Sequence, residues 1–178
     1  MIRVGTGCDV HSLVSGRPLI LGGVMIPHSR GPEGHSDADV LAHAVGDALL
    51  GALADGDLGT HFPSSDERLA GMSSLVLLQR IHRRLADRGW EVENVDSTVI
   101  AQEPRLAPFL HDIRSSLAAC LGTDPGNVNV KATTTDRLGF IGRGEGIAAQ
   151  AVVLLKRVKL AQPGENGLPP ARGDHRGG

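Results

Sequence analysis

Residues 34–57 read G-H-S-D-A-D-V-L-A-H-A-V-G-D-A-L-L-G-A-L-A-D-G-D, and this stretch constrains the chain more than any other. Leu41, Val45, Ala48, Leu49 and Ala52 recur at three-to-four spacing, which predicts one apolar face of a helix over roughly residues 38–54. Ser36 is placed to cap that helix, with Asp39 three residues on in a variant of the capping box. Asp39, His43 and Asp47 follow at intervals of four and stack on one side. Solvated helical faces usually carry Lys, Glu and Arg. This one carries an imidazole between two carboxylates and no cation. A metal site would use that composition; an acidic surface is the alternative.

Before this helix, residues 2–6 predict a short strand, which residues 7–11 continue or follow. G-T-G-C-D-V is not a dinucleotide fingerprint, because position 10 is Val where a third glycine is needed. Asp9 and His11, two apart, leave on the same face of an extended backbone. Residues 18–27 predict a hairpin turning at Gly22-Gly23, and residues 28–34 a loop. After the helix, residues 55–66 are irregular by their Gly and Pro content. Ser73 opens a second helix, with Leu75, Leu78, Ile81, His82 and Leu85 inward, Arg80, Arg83 and Arg84 outward, and Gly89 as its stop. Residues 92–101 form a β-branched alternating strand, and residues 107–121 a third helix. Residues 128–135 are β by composition. A glycine-rich loop over 139–146 leads into a last strand over 147–158. Strands alternating with helices place the chain in the α/β or α+β class, with a mixed sheet covered by helices. From Gln162 the composition turns to Gly, Pro and charge without periodicity, which predicts a disordered tail over 162–178 behind a domain over 1–161.

The totals exclude several functions. The 178 residues suffice for one domain with a sizeable core. Lys plus Arg number 18 and Asp plus Glu 20, a net charge of −2, so no electrostatic case for nucleic acid exists. Aromatics are 2% with no Tyr, which removes a base-stacking platform. Cys8 and Cys120 make no disulfide framework, and no signal-peptide core opens the chain, so a cytoplasmic protein is expected. No apolar run approaches the roughly 18 residues of a membrane helix.

Asp9, His11 and His43 are candidates for one metal. Two His and one carboxylate suit Zn2+ with a fourth position open, and Asp39 or Asp47 would orient the ligands from behind. Asp9 and His11 as ordinary strand residues, with His43 a satisfied half-buried histidine, is the alternative. His35-Ser36, before a helix N-terminus, suits an anion. Lys131-Ala132-Thr133-Thr134-Thr135-Asp136 sets a cation, three hydroxyls and a carboxylate at a strand end, fit for a phosphate and a hard divalent ion. Arg143 in the glycine loop could approach a phosphate. Together these groups ask for a diphosphate-bearing substrate.

Four segments carry a resemblance in addition: G-T-G-x-D-V-H, H-S-D-A-D-V-L-A-H-A-V-x-D-A-L-L-G, D-L-G-T-H-F-P and V-K-A-T-T-T-D-R-L-G-F-I-G-R-G-E-G-I-A. In this order they resemble the 2-C-methyl-D-erythritol 2,4-cyclodiphosphate synthase family over about residues 1–159. The resemblance implies an α+β fold, a mixed sheet with helices on one face, assembling as a homotrimer around a central cavity with active sites between subunits. It implies a lyase of the non-mevalonate isoprenoid pathway. The substrate would be the cytidine diphosphate 4-diphosphocytidyl-2-C-methyl-D-erythritol 2-phosphate; its 2-phosphate attacks the β-phosphorus and CMP leaves. A zinc-dependent phosphoesterase using a metal-bound water and a non-enzymatic trimeric metal- or isoprenoid-diphosphate-binding module are the competing readings.

Carried over by motif, Asp9, His11 and His43 match the zinc ligands, and Asp136 the acidic ligand of Mg2+ or Mn2+. His35 and Thr134 match the positions that stabilise the transition state, and Ser36 lies beside the phosphate. Asp57, Leu58 and Gly59 match the erythritol-binding turn, with Phe62, Pro63, Ser64, Ser65 and Asp66 a loop near it. Ala101, Gln102, Glu103, Pro104, Arg105, Leu106 and Ala107 match the cytidine pocket, assisted by Thr133 and flanked by Thr135. Phe140 and Arg143 match a pair at the inner cavity. Asp136 stands where many members have Glu, which shortens its reach by one methylene. Ser64-Ser65 stand where Asp-Thr is frequent, and Arg105 where Lys is frequent.

Overall fold

The computed structural model describes residues 1–158. The end of the expected domain at 161 and the expected tail over 162–178 lie outside the described residues. The elements run β1 (Ile2–Ser15), β2 (Leu19–Leu21), β3 (Val24–Ile26), β4 (Arg30–Pro32), α1 (Val40–Leu53), α2 (Leu58–His61), α3 (Ser74–Asp87), β5 (Trp90–Ile100), α4 (Leu110–Cys120), β6 (Val128–Thr133), α5 (Gly139–Gly142) and β7 (Gly146–Arg157). One mixed sheet has the order β4-β1-β7-β5-β6; among the described residues only the β5–β6 pair is parallel, crossed over by α4. β2 and β3 form the expected hairpin, with Gly22 and Gly23 at φ 55° and 77° in its turn.

The sheet has one covered and one open face. α1 lies against β1 and β7, α3 against α1 and β5, and α4 against β6. On the other face Ile2, Val4, Val10 and Val152 remain 65%, 63%, 49% and 38% exposed. The expected α+β class with helices on one face is therefore found.

Glycines decide how deep α1 sits. Gly5 and Gly7 share the covered face of β1. A Cβ on Gly5 would stand 2.0 Å from the Ala48 carbonyl oxygen, and one on Gly7 2.0 Å from that of Ala44. The facing positions of α1 are Ala44, Ala48 and Ala52, so strand and helix backbones meet without large side chains between them. With α3 on its other flank, α1 buries eleven residues, far more than one face.

Four local expectations are corrected. The helix starts at Val40, not Ala38, and Asp39 rather than Ser36 is its N-cap: the Asp39 carboxylate accepts from the N–H groups of Leu41 and Ala42 at 3.1 and 3.0 Å. Ala38 breaks the turn at φ 56°, and the Ser36 hydroxyl accepts from Ala38 N–H instead. Residues 28–34 contain edge strand β4, where Pro32 costs no ladder bond. Residues 55–66 contain α2, capped by Asp57. The glycine-rich loop contains the single turn α5. Among the described residues no helix is long and apolar enough to cross a membrane.

Candidate metal centre and active site

Asp9 and His11 leave β1 on the face that carries Gly5 and Gly7, the face α1 covers. His43 sits in the first turn of α1, directly above them. Asp9 Oδ2 lies 2.9 Å from His11 Nε2 and 2.9 Å from His43 Nδ1, and the two ring nitrogens are 3.3 Å apart. One donor atom from each residue falls within 4.8 Å of the others, and all three residues are half-buried. His11 is oriented from behind: its Nδ1–H donates to the Glu33 carbonyl at 2.7 Å, which leaves Nε2 turned to the cluster. The strand and helix that sequence reading left unconnected do meet here.

The electrostatics are those of an assembled donor set. Burial pushes the Asp9 carboxyl up, yet hydrogen bonds from the His11 and His43 rings override it and hold it well below the usual carboxylate range. The hydrogen bond to Asp9 raises His11 against its own desolvation. Without metal, the His11 contribution to stability is whole below an unfolded value of about 6.5 and fades as pH rises through the raised folded value. The Asp9 contribution is present above about 3.9 and is lost as pH falls through its depressed value. Two imidazole nitrogens and one carboxylate oxygen, converging from one side, fit a borderline cation such as Zn2+ with a position left open. Because a ligand must be neutral imidazole, Zn2+ affinity should fall at least about tenfold per pH unit below the raised His11 pKa. Competition with a chromophoric chelator across pH 5–9 checks this; a flat profile would remove His11 from the ligand set.

Asp39 and Asp47 do not orient the ligands, as the helix spacing had suggested. Asp39 is fully buried as a cap and also accepts from Gly23 N–H at 2.8 Å. Asp47 accepts from Leu58 N–H at 2.8 Å and so ties α2 to α1. Burial raises both carboxyls. The free ring nitrogen of His43 instead meets Ser74 at 2.9 Å. Ser74 is a residue sequence reading did not single out.

The cluster floors a cavity of about 410 Å³. His35, Ser36, Leu58, Gly59, Phe62 and Ser64 line it among the expected residues. His35 is exposed at the rim, its Nε2 3.0 Å from the Asp66 carbonyl oxygen. Ser36 is buried and turns its hydroxyl inward. Asp57, Pro63, Ser65 and Asp66 stand outside that lining. Asp57 accepts from Thr60 N–H and Thr60 Oγ1, and these bonds hold its carboxyl low. Asp66 caps a turn and pairs with Arg68.

The second group of expected residues lies elsewhere in the chain. Ala101 through Ala107, with Thr133 and Thr134, line a separate cavity of about 410 Å³. Beside it Asp136 is exposed at φ 51°, 3.3 Å from Thr134 Oγ1. The Thr135 hydroxyl donates to the Leu138 carbonyl and serves the turn. Arg143 pairs with Glu145, and Phe140 is 45% exposed. The metal cluster and the Thr133–Asp136 segment share neither cavity's lining.

Fold and cluster define an α+β protein with a candidate metal centre in an open pocket. The chain belongs to the YgbB family, whose model matches residues 2–156. It is 58% identical over 158 residues to the 2-C-methyl-D-erythritol 2,4-cyclodiphosphate synthase of Desulfitobacterium hafniense (strain DSM 10664 / DCB-2), covering 89% of this chain and 100% of that one. Among solved structures, the bifunctional IspDF from Campylobacter jejuni superposes with a TM-score of 0.85 at 43% identity, over 88% of this chain and 42% of that longer one. A CDP complex of IspF from Plasmodium falciparum superposes at 0.78 with 32% identity, over 89% and 97%.

Proposed function

We propose that this protein converts 4-diphosphocytidyl-2-C-methyl-D-erythritol 2-phosphate to 2-C-methyl-D-erythritol 2,4-cyclodiphosphate and CMP, a step in isoprenoid precursor synthesis. The observation that carries the reading is the Asp9, His11 and His43 cluster, assembled at the floor of the pocket in a chain 58% identical to a protein of that name. A 2-phosphate oxygen bonds to the β-phosphorus, the bond from that phosphorus to the bridging oxygen breaks, and CMP leaves with the electron pair. No covalent enzyme intermediate is needed, so the chain's contribution is positioning and charge neutralisation.

Asp9, His11 and His43 would hold Zn2+, which when bound supplies Lewis-acid charge at the β-phosphate. Asp136 supplies one exposed carboxylate, the kind of site at which Mg2+ or Mn2+ binds with substrate phosphates completing its shell. His35 at the rim donates toward the phosphates, and Ser36 backs the same end. Gly59 and Phe62 receive the erythritol end. The cavity lined by residues 101–107 takes cytidine, and the CDP-bound relative supports a nucleotide of that class. Thr133 and Thr134, at the end of β6, face the diphosphate from the nucleotide side.

The separation of the two cavities within one chain supports a site shared between subunits, in the homotrimer that the motif resemblance implies. The open face of the sheet, with its exposed Ile2, Val4, Val10 and Val152, would lie inward in that assembly. Phe140 and Arg143 would stand at its central cavity. This reading predicts complementation. H43A and D136A should each be inactive, and their co-expression should restore about one quarter of the sites by random assortment. Turnover is followed as CMP release from the cytidine diphosphate substrate. Co-expressed variants that remain inactive while each is folded would overturn the shared site; wild-type protein that releases no CMP would overturn the function.

A further inference from the structure

Behind the metal cluster the structure holds a hydrogen-bond relay. His43 turns Nδ1 to Asp9, so its Nε2 faces the other way, 2.9 Å from Ser74 Oγ. Ser74 Oγ–H donates to Asp37 Oδ1. A hydroxyl that donates to a carboxylate can only accept from the ring, so the Nε2 of His43 carries a proton. Nδ1 points to Asp9, and the proton it donates there is the one a metal would replace while Nε2–H stays on Ser74. Ser36 Oγ lies farther from Nε2, at 3.4 Å, and is engaged by Ala38 N–H at 3.1 Å.

Asp37 is itself held rigidly. Its Oδ2 accepts from Ser74 N–H at 3.0 Å, so one carboxylate takes both the backbone and the side-chain donor of the first residue of α3. Ser73, the N-cap residue of α3, makes no side-chain cap bond. Asp37 therefore caps α3 from another segment, where the helix dipole favours its charge. Ser74 is 1% exposed, so water does not compete for the relay.

The geometry assigns Ser74 and Asp37 as positioning residues that fix the tautomer and the ring plane of His43 for metal binding. The assignment rests on the metal reading of the cluster. Carboxylates behind ligand histidines act in this way directly; here a buried serine carries the link, and it joins the metal ligand to the start of α3.

The test is Zn2+ affinity of the full chain by chelator competition, paired with long-range proton–nitrogen NMR of the His43 ring in the Zn2+-loaded protein. S74A is expected to bind Zn2+ about 10–100-fold more weakly. In the loaded wild type the ring proton should sit on Nε2, and in loaded S74A part of the population should carry it on Nδ1, a change that loss of packing alone does not produce. S74A with wild-type affinity and an unchanged tautomer would overturn the assignment. Should S74A fail to fold, the wild-type spectrum decides alone: a proton on Nε2 upholds the relay and a proton on Nδ1 overturns it. Wild-type protein that binds no Zn2+ removes the metal reading and the assignment with it, whereas equal binding by wild type and S74A overturns the relay only.

Discussion

Replacement of His43 by alanine is expected to abolish turnover, by at least about 10³-fold, and to strip Zn2+ from the purified protein. Three donors converge on one point, and His43 is the only one that α1 contributes. Its removal leaves Asp9 and His11, both on β1, which offer two ligands from one side. It also leaves Asp9 with one ring partner in place of two, which raises its carboxyl back toward the ordinary range. The fold should survive, because His43 is half-buried at the pocket and contributes little to the core. Metal analysis and a CMP-release assay on one folded sample check this together. Full activity in a zinc-free H43A sample would sink the metal role.

The second large effect lies in the backbone contact beneath the site. Gly7→Val should fail to fold or lose more than about 3 kcal/mol, since its Cβ would stand 2.0 Å from the Ala44 carbonyl oxygen and 2.7 Å from Ala48 N–H nitrogen. Neither atom belongs to a flexible side chain, so relief requires α1 to move away from β1. Gly7→Ala is the more informative variant. If it folds, α1 must shift outward, and His43 moves with it away from Asp9 and His11. Zinc affinity should then fall by more than the loss of stability accounts for. Thermal melts beside chelator competition separate the two effects. A Gly7→Ala protein with wild-type melting temperature and wild-type zinc affinity would refute the close-approach explanation.

That contact also shows what could be read before the structure. Gly5, Gly7, Asp9 and His11 recur at period two on one strand face, and Ala44, Ala48 and Ala52 at period four on one helix face. Small residues on both surfaces mark the place where the backbones touch, and Asp9 and His11 continue the strand row. Each period is legible within its own element, but that the two rows face one another is not. The hairpin at Gly22-Gly23 and the face shared by Asp9 and His11 were legible because both follow from local geometry. The helix cap was misread for a physical reason: Ser36 and Asp39 are both competent caps, and the break between them lies at Ala38, a residue whose positive φ no sequence rule signals. Ser74 and Asp37 were invisible because their link to His43 joins segments far apart in sequence. The 101–107 segment rests on motif resemblance alone, since exposed loop residues carry no periodicity to read, whereas Thr133, Thr134 and Asp136 were legible as hydroxyls and a carboxylate at a strand end.

The most direct test is phosphorus NMR of the purified protein with 4-diphosphocytidyl-2-C-methyl-D-erythritol 2-phosphate, Zn2+ and Mg2+. CMP and a cyclic diphosphate should appear together and in equal amounts, because one bond exchange produces both. CMP appearing with a linear phosphorylated erythritol would contradict this, since it would mean that water, not the substrate's own 2-phosphate, attacks the β-phosphorus.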